Sequence, residues 1–112
     1  MTLTPEQLPL SLTDYLLSHL AQECCEIAVR CTKAQMFGLD EIQPEQEFTN
    51  RQRITHELCD LLALCEVMRD RGLLPDMDGK ETNERLDAKK IKAEKYRFYS
   101  VALNRLAAEG KP

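Results

Sequence analysis

Two pairs of acidic residues have the types and spacing for chemistry: Glu23-x-x-Glu26 and Glu57-x-x-Asp60. On a helix, an i,i+3 spacing points both carboxylates of a pair to one side. Each pair sits inside an apolar segment, Leu16 to Ile27 and Ile54 to Leu64. A carboxylate on a face meant for burial is costly unless something offsets its desolvation. A hard divalent cation with oxygen ligands does that. The pairs therefore predict a metal site between two helices. An acidic helical chain also carries such pairs as plain solvated faces. Glu81/Glu84 and Glu84/Asp87 are of that kind and suit the start of a helix. Apolar surroundings set Glu23 and Glu57 apart from them. A di-iron carboxylate centre needs Glu-x-x-His pairs, and neither His19 nor His56 follows a glutamate at that spacing.

The elements that must position these acids are three long helices and two polar loops. The first helix is expected from Ser11 or Thr13 to Phe37, with Asp14 in its first turn and Gly38 as its stop. The loop Leu39 to Phe48 follows. The second helix starts near Thr49 or Asn50 and ends at Gly72. The loop Leu73 to Thr82 is rich in turn residues, and the third helix runs from Thr82 or Asn83 to about Glu109, before Gly110. Residues 1–10 hold two prolines and read as an extended arm, leaving 11–112 as one helical domain. No stretch alternates as a strand does. The fold class is all-α: three long helices in an antiparallel bundle. Aromatic residues make up only 5% of the 112 and Trp is absent, so the core is expected to be completed by dimerisation, as a four-helix-type core.

Helical periodicity places Leu16, Leu20, Ile27, Cys31 and Ala34 in one stripe of the first helix, with Glu23 inside it and Glu26, Arg30 and Lys33 on its flank. In the second helix the stripe is Ile54, Leu58, Leu61, Leu62 and Cys65. Glu57 lies at its edge, Asp60 one step round, and Asn50 and Arg53 in the turns before Glu57. The third helix brings Arg85, Lys89, Lys92, Tyr96, Tyr99 and Leu103 close to one face, basic at one end and aromatic at the other. Such a helix packs at one end and meets phosphate at the other; lysine stems covering apolar surface are the plainer account.

A net charge of −4 argues against non-specific nucleic-acid binding. No apolar run is long enough to span a bilayer. The five cysteines lack a CxxC spacing and follow no signal peptide, so they read as reduced core residues of a cytoplasmic protein.

With Glu23-Cys-Cys-Glu26, then Lys33, then Glu57-Leu-Cys-Asp60-Leu, the chain resembles the MazG-like, all-α nucleoside triphosphate pyrophosphohydrolases over roughly residues 12–95. Members of that family hold Mg²⁺ or Mn²⁺ on four such acids and cleave (d)NTP to (d)NMP and pyrophosphate. The resemblance implies metal-ligand and catalytic roles for Glu23, Glu26, Glu57 and Asp60. It also implies phosphate contacts from Lys33 and from the start of the third helix, where Asn83-Glu-Arg85-Leu-Asp-Ala-Lys89 is similar to the family's Asn-x-Lys-Phe-x-x-x-Arg stretch. Arg85 and Lys89 exchange Lys and Arg relative to that pattern, and Lys92 is the alternative cation. A nucleoside triphosphate is the implied partner, with a homodimer or homotetramer as the assembly. The competing class is a non-catalytic helical interaction module, or a nucleotide-binding member of the family without activity.

Overall fold

A computed structural model describes Thr2, Thr4 and residues 9–108. Among these residues there are three helices and no strand: α1 (Leu12–Phe37), α2 (Asn50–Asp70) and α3 (Lys80–Ala102). The chain divides into two compact units between Pro75 and Asp76. Of the expected N-terminal arm, only Thr2, Thr4, Pro9 and Leu10 are described, all outside regular elements. Its other residues lie outside the described set, as does Glu109.

In the first unit, α1 begins where its local chemistry requires. The Ser11 hydroxyl accepts from the Asp14 N–H at 3.1 Å, and Asp14 sets a negative charge in the first turn. The helix stops at Gly38, whose φ of 99° favours glycine and whose N–H donates to the Ala34 carbonyl at 2.8 Å. A reciprocal capping box opens α2: the Gln52 N–H donates to Thr49 Oγ1 at 3.1 Å, and the Thr49 N–H to Gln52 Oε1 at 2.9 Å. At its other end Gly72 adopts a φ of 74° just past Arg71.

The two helices are joined by a stitched loop. Asn50, the first residue of α2, is only 1% exposed. Its Nδ2 donates to the Gly38 carbonyl at 2.8 Å and to Glu41 Oε1 at 3.2 Å. Its backbone N–H donates to the Glu41 carbonyl at 2.9 Å, and the Arg51 N–H to the Leu39 carbonyl at 2.8 Å. The end of α1 is thus tied to the start of α2, and the helices run antiparallel in contact.

Their shielded residues repeat with alternating spacings of four and three. On α1 these are Leu16, Leu20, Glu23, Ile27, Arg30 and Ala34; on α2, Asn50, Ile54, Glu57, Leu61, Leu64 and Met68. That is the seam of two helices packed side chain into gap. It corrects part of the stripe read from sequence. Leu58 and Leu62 are 43% and 59% exposed, because they lie off the seam by one position. Cys24, Cys25, Cys31 and Cys59 lie one or two positions off the seam and are exposed, whereas Cys65, beside Leu64, is half-buried. The expectation of core cysteines fails for those four.

In the second unit, α3 begins at Lys80 after Gly79 with no side-chain cap, ahead of Thr82 and Asn83, which sit within its first turn. Lys80 and Glu84 form an i,i+4 pair at 3.8 Å there. The helix ends at Ala102, short of Glu109. Asn104 takes a left-handed φ of 57°, and the Arg105 N–H returns to the Ser100 carbonyl at 2.9 Å. Asn tolerates that conformation, so Asn104 serves where a glycine usually ends a helix. No residue of α3 is buried.

Asn50→Ala removes two side-chain hydrogen bonds, one of them to a carboxylate, and should destabilise the first unit by about 2–3 kcal/mol. Urea denaturation followed by circular dichroism measures this; a change below about 0.5 kcal/mol would show that the loop, not Asn50, holds the hairpin.

Candidate metal centre

The seam brings Glu23 of α1 within reach of Glu57 of α2. One turn supplies Glu26 beside Glu23 and Asp60 beside Glu57. Carboxylate oxygens of Glu23, Glu57 and Asp60 lie within 4.8 Å of one another. Glu26 is close enough to both Glu23 and Glu57 to act on their ionisation. It lines a cavity of about 470 Å³ with Glu57, Gln22, Cys25, Val29, Arg30 and Arg53. All four acids expected from sequence therefore come together, three in an oxygen triad and Glu26 next to it.

Their electrostatics are unfavourable as they stand. Glu23 Oε2 and Glu57 Oε2 are shut off from solvent and find no donor; the neighbouring Glu26 carboxyl can hydrogen-bond to either only through a shared proton. Desolvation first, and then the charges of Glu26 and Asp60, push the Glu23 carboxyl above the ordinary value; His19 opposes this weakly. Glu57 is raised by desolvation, then by Glu26, Glu23 and Asp60. Carboxylates crowded in this way need protons or a cation. The donor set is all oxygen, which suits a hard divalent ion such as Mg²⁺ or Mn²⁺. The residues present fit such an ion.

The expected phosphate contacts fall in different places. Lys33 stands on α1 with Nζ 5.8 Å from the centre of the Phe37 ring and does not line the acidic cavity. Arg85, Lys89 and Lys92 are brought together in the second unit, where they line a cavity of about 570 Å³ with Met77, Thr82, Leu86 and Ala88. The cations that do share the cavity with Glu26 and Glu57 are Arg30 and Arg53. Sequence reasoning sets Arg30 on the flank of the first helix and Arg53 in the turns before Glu57. Arg30 follows Glu23 by seven residues and so repeats its seam position; Arg53 lies one turn before Glu57. Those spacings were the available signal. His19 packs against Tyr15 with the rings tilted by 56° and 4.5 Å between their centres, and His56 packs edge-on against Phe48 at 4.8 Å. Neither joins the oxygen triad.

Comparison with known proteins finds no matching family model, no matching curated protein and no matching solved structure. Among the described residues, no helix is long and apolar enough to cross a membrane.

The raised carboxyls dictate a pH dependence. Where a folded-state pKa lies above the unfolded one, the stability it confers is complete below the unfolded value and is lost as pH rises through the folded value. The metal-free protein should therefore melt higher near pH 5 than near pH 7.5. A saturating divalent ion should raise the melting temperature more at pH 7.5, where it does not compete with protons. Thermal melts with and without Mn²⁺ at both pH values test this; a metal shift equal at both would contradict it.

Proposed function

We propose that this chain is a metal-dependent nucleoside triphosphate pyrophosphohydrolase of the MazG-like kind, converting (d)NTP and water to (d)NMP and pyrophosphate. One observation supports it above the others: the Glu23, Glu57 and Asp60 oxygens gather within 4.8 Å on a helix seam. Two oxygens of that cluster's glutamates are desolvated and unpartnered. A purely structural seam would place apolar side chains at Glu23 and Glu57. Glu23, Glu57 and Asp60 hold Mg²⁺ or Mn²⁺ with the help of Glu26. When bound, such an ion supplies positive charge to phosphate oxygens and lowers the pKa of a water. Glu26, at the cavity wall, takes a proton from the attacking water. The water oxygen bonds to the α-phosphorus, the α–β anhydride bond breaks, and its electron pair leaves with pyrophosphate. The family resemblance adds Lys33, Arg85, Lys89 and Lys92 as phosphate contacts that offset charge on the leaving group.

The same reading makes the chain a homodimer or homotetramer. Leu17, Val29, Leu58, Leu62 and Val67 on α1 and α2 are all at least 43% exposed, a supply of apolar surface that a second copy could cover in a four-helix core. A nucleotide hydrolase with free cysteines belongs in a reducing compartment, the cytoplasm. A second reading, a helical interaction module that needs no metal, draws on the exposed apolar residues of α3, among them Ile91 at 72% and Phe98 at 61%.

Pyrophosphate release from a panel of dNTPs and NTPs with Mg²⁺ decides between them. Glu57→Gln should lower turnover by about 100-fold or more while the helical spectrum persists. It should also raise the metal-free melting temperature at pH 7.5, because it removes a repelled charge. Full activity in that variant would reject the centre; silence of the wild type across the panel, with no metal shift, would favour the interaction module.

A further inference from the structure

Arg30 occupies a position that the seam reserves for an apolar side chain. It lies between Ile27 and Ala34 in the four-and-three pattern and is half-buried. Its Nη1 is shut off from solvent with no hydrogen-bond partner. A desolvated guanidinium without a partner is destabilising. Its neighbours make this more telling. Glu26 precedes it by four residues, the spacing at which helical ion pairs form. Even so, Arg30 makes no salt bridge among the described residues.

Arg53 reaches the same cavity from α2. Its Nη1 donates to Gln43 Oε1 at 2.9 Å, so the loop fixes one arm of the guanidinium. A guanidinium has five N–H donors, so the bond to Gln43 leaves Arg53 able to donate to a ligand in the cavity it lines. Opposite charges thus line one space: carboxylates with an unmet need for a cation, the Arg30 guanidinium with a buried donor unmet, and Arg53 held beside it by the loop. A free metal ion satisfies only the first need, and a free anion only the second. A metal-bound polyphosphate satisfies both.

We infer that Arg30 and Arg53 grip the phosphate oxygens of a metal-bound polyphosphate held in the Glu26–Glu57 cavity. This rests on the nucleotide-hydrolase reading and names the residues of the first unit that take the phosphates. Two forks meeting phosphate oxygens give charge-assisted, directional hydrogen bonds, which a lysine cannot reproduce. The plainer alternative gives Arg30 only the role of softening repulsion among the acids. The two accounts differ in what the arginine acts on. A softening charge opposes metal binding and is indifferent to phosphate geometry.

The test uses the full chain with Arg30→Met, Arg53→Met and Arg30→Lys. Mn²⁺ binding is followed by electron paramagnetic resonance, and tripolyphosphate binding to the Mn²⁺-loaded protein by calorimetry. Each Met variant should keep wild-type Mn²⁺ affinity or gain some, which also shows that it has folded. Each should lose about 10- to 100-fold in tripolyphosphate affinity. Arg30→Lys should fall between wild type and Arg30→Met. Unchanged tripolyphosphate affinity in the Met variants, with Mn²⁺ still bound, overturns the arginine grip and leaves the metal centre standing. So does a full rescue by lysine, since the fork would then be irrelevant. Failure of the wild type to bind Mn²⁺ overturns the metal centre and this inference with it.

Discussion

The hairpin depends on the amide of Asn50. It is the one buried polar side chain of the described chain, and it bonds the last turn of one helix to the first turn of the next. Two antiparallel helices can slide along each other by a turn and still bury apolar surface. A tie between Gly38 and Asn50 removes that freedom. With the ends fixed, Glu23 falls alongside the Glu57–Leu61 turn of α2, where its carboxylate reaches those of Glu57 and Asp60. Every statement about the acidic cluster inherits its geometry from this register. Asn50 Oδ1 is itself left without a partner. A buried amide with both donors directed to fixed acceptors sets alignment as well as contributing stability.

The seam is also where apolar packing and the proposed metal site oppose each other. Replacing Glu23, Arg30 and Glu57 by leucines would continue the apolar pattern without interruption and would suit the hairpin better. Charged groups instead fill the middle of the interface, and only Leu16, Ala34 and Met68 are buried as apolar residues among those described. Such a hairpin relies on something outside itself, a cation or a further layer of protein, to compensate. Local violation of the packing rule marks the site more clearly than the acidic residues taken by themselves.

Much of this could be read in the sequence, for physical reasons that differ by element. Ser11, Thr49 and the glycines at 38 and 72 are local signals whose effect does not depend on packing, and α1 and α2 begin and end at them. The four acids were recognisable because apolar residues surrounded them. The end of α3 was not recognised, because Asn104 does the work usually given to glycine. Four of the five cysteines, with Leu58 and Leu62, fall outside the expected core because a stripe of helical period is broad, whereas a two-helix seam admits one narrow row. Arg30 was set on a flank for the same reason: its place in the row depends on a register that only Asn50 fixes. The cations of α3 have composition in their favour, and nothing in their spacing alone ties them to a particular anion.

The order in which such a hairpin closes follows from where its tie lies. Contacts near the loop are close in sequence and form first, and the acids sit about three helical turns farther along. Their mutual repulsion is felt only after the half of the seam next to the loop has closed. Groups that interact late change the rate of opening and leave the rate of closing almost untouched. A cation on these carboxylates therefore acts as a latch on a structure already formed, lengthening the life of the closed hairpin without helping it to find its shape.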